Sequence, residues 1–258
     1  MYAGSHQVYI ENVLDKNSVR EKESVHFGFP FNSFFQKTTI DAGYGSMQYL
    51  GDQLQGSNLD YLYGRRWLDV SENGRGIQWL MLEAPLVEPA SMIDERKTVN
   101  EAHKEWKTTN VPTATWFSYV MNNYWHTNYK ADQDGVSHYR YALKPHAMLN
   151  YSNIEKTAFE FCEPLIAFTT KESEKFVEGL FELTNNRVVV TSITPLNKNG
   201  FIVRLFNPEP TAVETGFIWK AINPAHIVNM SSGKMIGEKE NISLAGMGVM
   251  ELKLETNQ

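Results

Sequence analysis

The sequence predicts an all-β fold, an antiparallel sandwich with one short helix, and three observations predict it. Apolar residues recur with period two along most of the chain, the spacing that puts them on one face of a strand and polar residues on the other. The strand-like runs are short and evenly spaced, and the segments between them are rich in Gly, Asn, Pro and Ser. Aromatic residues make up 12% of the sequence, with 6 Trp, 12 Tyr and 14 Phe, a share that suits pleated half-buried surfaces and sugar stacking alike.

Taken in order, Val25, Phe27 and Phe29 alternate with Ser24, His26 and Gly28 until Pro30 ends the run. The segment 42–58, rich in Gly, Gln and Asn, has no sustained period and reads as a long ordered surface loop. Trp67–Val70 and Ile77–Leu82 flank Glu72-Asn73-Gly74 and read as a hairpin. Asp94–Asn110 is charged and Thr-rich, which suits a solvated connection or a short helix outside the core. Trp116, Phe117, Tyr119, Val120 and Met121 form a buried-strand candidate, and Tyr139–Leu143 supplies another after the Asp134-Gly135 turn.

One helix stands out. Ile154, Ala158, Phe161, Cys162 and Leu165 share a face, with Ser152 or Asn153 as N-cap and Pro164 near the end, so Cys162 is expected in the core. After the charged stretch 171–179, strands return at Arg187–Ile193, Phe201–Phe206, Val213–Trp219 and Gly248–Leu254. In the last of these, Met250, Leu252 and Leu254 face one way and Glu251, Lys253 and Glu255 the other. A domain boundary is expected near residues 170–186, and the chain shows no internal repeat.

Composition narrows the function classes. The 258 residues are 42% hydrophobic and 21% charged, as in an ordinary globular protein. A net charge of −6 with scattered basic residues argues against nucleic acid as a partner. No run reaches the about 18 apolar residues of a membrane span, so no membrane partner is expected. Cys162 is the single cysteine, which excludes an intrachain disulfide. The first residues lack the basic and apolar stretches of a secretory signal; a soluble protein is expected, with its compartment open.

Catalytic signatures are sparse. The sequence contains no His-Glu-x-x-His, no His-x-Asp, no Walker loop and no Gly-x-Ser-x-Gly elbow, so neither a metal centre nor a nucleophile is predicted in this chain. Gly43-x-Gly45, Gly74-x-Gly76 and Gly246-x-Gly248 lack a third glycine and a following helix, and read as turns. The acids Asp52, Asp60, Asp69, Asp132 and Asp134 read as turn, cap or surface residues. Three Asn-x-Ser acceptor patterns occur, at Asn150, Asn229 and Asn241.

The densest segment is Met121–Gly135. Asn122, Asn123, Tyr124, Trp125, His126 and Asn128 are its candidate substrate-binding residues, because planar amides can take two sugar hydroxyls while a ring stacks on the pyranose. The same residues could instead serve neighbouring backbone and fill a core, with His126 a satisfied imidazole. Arg65 and Arg66 could clamp a substrate or form ion pairs.

The runs at 19–31, 52–71, 82–89, 121–135, 139–146 and 202–210 occur in an order that resembles the C-terminal half of bacterial family 38 glycoside hydrolases, the retaining α-mannosidases. The resemblance implies part of a β-supersandwich over residues 1–170 and a small C-terminal β-sandwich over 171–258. It also implies a partner, the N-terminal catalytic domain of the same polypeptide, which holds the zinc, the nucleophile and the acid/base. None of those motifs is present here, so no catalytic or metal-binding residue carries over, and the chain alone is expected to be inactive. An α-mannoside is the expected carbohydrate. A free-standing, lectin-like carbohydrate-binding β-sandwich is the alternative. Open strand edges predict self-association beyond what the net charge suggests.

Overall fold

A computed structural model describes residues 6–31, 37–89, 113–123, 130–163, 165–167, 169, 179–197, 200–222 and 224–256. The chain divides into two compact units, Met1–Leu149 and Asn150–Gln258. The helix therefore begins the second unit, about twenty residues before the expected boundary near 170–186.

The first unit contains β1 (Val8–Lys16), β2 (Glu23–Pro30), β3 (Lys37–Asp41), β4 (Ser46–Gln48), β5 (Leu62–Tyr63), β6 (Trp67–Glu72), β7 (Arg75–Met81), β8 (Leu86–Pro89), β9 (Thr115–Asn123) and β10 (Gly135–His146). They form a six-stranded sheet, β1-β10-β7-β6-β3-β4, and a four-stranded sheet, β2-β9-β8-β5. Every pairing is antiparallel. Leu68, Val70, Trp79 and Tyr141 from the first sheet meet Phe29, Val87 and Trp116 from the second in one core. Each such side chain contributes about 2–3 kcal/mol by leaving water. Phe29 and Trp79 touch at 4.3 Å between ring centroids, and the Tyr141 hydroxyl donates to Ser118 Oγ at 2.8 Å. Burial pushes the Tyr141 hydroxyl up to about 12, so it stays a donor.

The predicted hairpin is β6–β7. Asn73 and Gly74 both take positive φ, 53° and 76°, the twist-matched two-residue turn that Asn-Gly favours. The expected loop 42–58 holds more structure than its composition suggests. Inside it, β4 pairs with β3, and Tyr49 is buried against Trp116 at 5.0 Å. The segment Asp94–Asn110 lies outside the described residues.

The second unit contains α1 (Tyr151–Cys162), β11 (Phe181–Leu183), β12 (Val189–Asn197), β13 (Gly200–Phe206), β14 (Val213–Thr215), β15 (Phe217–Trp219), β16 (Pro224–Asn229), β17 (Met235–Ile236), β18 (Ile242–Leu244) and β19 (Val249–Thr256). A five-stranded sheet, β12-β13-β19-β16-β17, is joined by the pairs β11-β15 and β14-β18. Val203, Leu205, Leu252 and Leu254 centre its core, as the alternation in the last strand predicts. The run Val213–Trp219 does not form one strand. It splits at Gly216, where a Cβ would come within 2.6 Å of Asn241 Oδ1.

The helix cap is Asn150, not Ser152 or Asn153; the Asn150 side chain accepts from the Asn153 N–H at 2.9 Å. Ile154 and Ala158 are buried as expected. Cys162 is only half-buried, and Leu165 lies beyond the helix, fully exposed. Asn207 ties the second unit together. Its Nδ2 donates to the carbonyls of Thr211 (2.8 Å), Leu244 (3.2 Å) and Ala245 (2.8 Å), and its Oδ1 accepts from the Glu209 N–H at 3.1 Å. Glu209 in turn accepts from Ser152 Oγ at 3.1 Å, which fixes the start of α1.

Candidate functional site

Of the candidate sugar-binding residues, the structure describes Asn122 and Asn123, the last two residues of β9. Alternation along the strand leaves Asn122 exposed and turns Asn123 into the protein. Asn123 Nδ2 donates to the carbonyls of Val19 (2.5 Å) and Glu21 (3.4 Å) and to Glu23 Oε1 (3.0 Å). This amide therefore serves neighbouring backbone, the second of its two readings. Tyr124, Trp125, His126 and Asn128 lie outside the described residues.

Both flanks of that segment are anchored on the same turn, the connection from β1 to β2. On one side Asn123 grips Val19 and Glu21; on the other Asp132 accepts a hydrogen bond from the Ser18 hydroxyl. That bond holds the Asp132 carboxyl below its ordinary range, with Lys130 and Arg20 adding to the effect. Asp132 is buried, so of the turn, cap and surface roles expected of it the surface one does not hold. Lys130 and Asp134 pair at 2.6 Å, and this contact raises the lysine pKa. Lys16 and Glu23 bridge the ends of β1 and β2.

Arg65 and Arg66 lie between β5 and β6, at the same end of the sandwich. Arg66 is buried and its Nε lies 3.3 Å from Asp41 Oδ2, while Asp41 also accepts from the Gly43 N–H at 2.8 Å. Burial raises the Asp41 pKa against the pull of Arg66. The ion-pair reading holds for Arg66. The Arg65 guanidinium sits 5.9 Å from the centroid of the Tyr44 ring.

Two arrangements were not legible in the sequence. Asp69, read as a turn or surface acid, is fully buried in the middle of β6, with His146 Nε2 2.5 Å from its Oδ2. It shares a buried face with Thr39 and Gln78, turned away from the main core. The absence of any Cβ at Gly76 makes room for the imidazole, because one there would stand 2.7 Å from His146 Cε1. On the four-stranded sheet, His26 Nε2 lies 3.0 Å from Glu88 Oε2 under stacked rings. Burial lowers the His26 pKa.

Asp52 and Asp60 keep the turn roles expected of them: Asp52 accepts from the Gln48 N–H at 2.7 Å, and the Asp60 N–H donates to Asn58 Oδ1 at 2.7 Å. Asn150 and Asn229 of the Asn-x-Ser patterns likewise serve backbone N–H groups. Among the described residues, no three His, Cys, Asp or Glu side chains converge to hold a metal ion. No helix among them is long and apolar enough to cross a membrane.

Comparison with known proteins supplies the wider frame. No family model matches the sequence, and no curated protein does. Solved structures match along almost the whole chain, among them the following two. An α-mannosidase from Enterococcus faecalis V583 has a TM-score of 0.69 at 12% identity over 98% of this chain. A glycosyl hydrolase family 38 protein from Enterococcus faecalis has a TM-score of 0.70 at 12% identity over 97% of it. This chain shares its fold with part of those two proteins. It spans only 28% of the length of each. The all-β architecture implied by the sequence resemblance is therefore the one observed.

Proposed function

We propose that this chain is the non-catalytic C-terminal β portion of an α-mannosidase-like family 38 glycoside hydrolase, packing against and completing an N-terminal catalytic domain of the same polypeptide. In this reading the parent enzyme hydrolyses terminal α-mannosides with retention, and its zinc, nucleophile and acid/base belong to that other domain. The single observation that carries it is the coverage: 98% of this chain superimposes on 28% of a solved α-mannosidase.

The chemistry of the described acids supports the same division of labour. Retaining hydrolysis needs two carboxyl groups about 5 Å apart across the glycosidic bond. Here Asp41 faces Arg66, Asp69 faces His146, Glu88 faces His26 and Asp132 faces a serine hydroxyl. These acids hold the sheets and turns together. The proposed substrate contact of this chain is the segment Asn122–Asn128, whose flanks the turn at 17–22 fixes.

An assay of the purified chain with an aryl α-mannoside and added zinc tests the proposal. No turnover above buffer is expected. Hydrolysis by this chain alone at a rate typical of a complete glycosidase would refute it.

A further inference from the structure

The outer face of the four-stranded sheet carries a row of rings. His26 on β2 and Tyr119 on β9 stack with centroids 4.4 Å apart and planes 2° from parallel. Tyr61, just ahead of β5, stacks on Tyr119 at 5.1 Å and 22°. Because β2 and β5 lie on opposite sides of β9, Tyr119 sits between the other two rings. Phe117 meets His26 edge-on at 6.3 Å and 88°. Glu88, on the strand between β9 and β5, is buried beneath the row.

The row ends in the open. Tyr61 is 43% exposed and Tyr63, two residues on, is 57% exposed, while His26, Phe117 and Tyr119 are half-buried. Burial pushes the Tyr61 hydroxyl pKa up, and the negative charges of Glu88 and Asp60 push it further. The end of the row therefore combines a ring face of negative quadrupole, the carboxylate of Asp60 and a phenol that keeps its proton, over the buried charge of Glu88.

We propose that this row is a platform for a neutral pyranoside, whose C–H face stacks on Tyr61 while a hydroxyl donates to the neighbouring Asp60 carboxylate. The proposal rests on the glycan-handling reading above. Charge complementarity selects the occupant. The polarised C–H groups of a pyranose match the ring face, and a hydroxyl matches the carboxylate acceptor, whereas a phosphate or an acidic sugar meets like charge. A quaternary ammonium prefers rings that box it in, and these rings lie nearly parallel.

Saturation-transfer NMR on the full chain with methyl α-mannopyranoside tests this. Transfer to the ring C–H protons is expected, with Tyr61→Phe retaining it. Tyr61→Ala is expected to weaken binding by about tenfold while its thermal midpoint stays near that of the parent chain. No transfer at tens of millimolar sugar would overturn the platform. So would undiminished binding by Tyr61→Ala, or displacement of the sugar by tetramethylammonium. A chain that binds no sugar and shows no turnover loses the platform alone, and the scaffold reading stands. A chain that hydrolyses the aryl mannoside loses the scaffold reading whatever Tyr61 does.

Discussion

The two outer faces of the first unit differ sharply. On the six-stranded sheet, Thr39, Asp69 and Gln78 are buried beside Trp67, Leu80 and Ala142, all turned away from the main core. On the four-stranded sheet, the outward face carries a row of rings that stay partly in water at Tyr61 and Tyr63, over the buried Glu88–His26 pair. A polar group without water must find a partner inside the protein, and Asp69 finds His146. A ring at a wet surface has no such constraint and is free to take a ligand. Burial of polar residues thus marks structure, at Asp69 and at Glu88 alike, and exposure of apolar rings on the four-stranded sheet marks a candidate interaction surface.

The largest effect expected from this contrast is at Asp69. Removing one partner of a buried pair leaves the other unpaired, so Asp69→Ala is expected to lower stability by about 3–5 kcal/mol in urea unfolding. A loss below about 1 kcal/mol would place Asp69 with ordinary surface residues and erase the contrast. In the second unit, Asn207→Ala removes four hydrogen bonds from a buried side chain and is expected to cost about 2–3 kcal/mol. Asn150→Ala, which deletes only a helix cap, is expected to cost about 1 kcal/mol.

Acidification sharpens the comparison further. The His26 pKa is lowered by burial on folding, so the unfolded chain binds its proton more readily. Its contribution to stability is full above the unfolded imidazole pKa of about 6.5 and declines as pH falls below it. His26→Gln is expected to flatten that decline in thermal unfolding between pH 7 and 5. The Asp132 pKa is lowered by the Ser18 hydroxyl, so its contribution is present above the unfolded carboxylate pKa and is lost only at more acid pH. Ser18→Ala is expected to remove this second, more acid step and leave the first.

The sequence was legible where one face of a strand is apolar and the other wet. Val25, Phe27 and Phe29 in β2 and Met250, Leu252 and Leu254 in β19 show this, and so does the Asn-Gly hairpin. It was opaque where both faces are buried. In β6, Trp67, Leu68, Asp69 and Val70 are all inside, so the alternation that would have placed Asp69 is missing. β3 was missed because Thr38 and Thr39 are buried although polar, and β17 because two residues carry no period. In the candidate segment, alternation separates Asn122 from Asn123, yet the tie to Val19 joins residues about a hundred positions apart. Single-sequence patterns carry no sign of such a contact.

Metal analysis of the purified chain after zinc loading and dialysis tests the central division of labour most directly. The account predicts that the chain retains no stoichiometric zinc, because the proposed function assigns the donors of a catalytic ion to another domain. One zinc per chain, kept through dialysis and lost when a histidine of this chain is replaced, would contradict it.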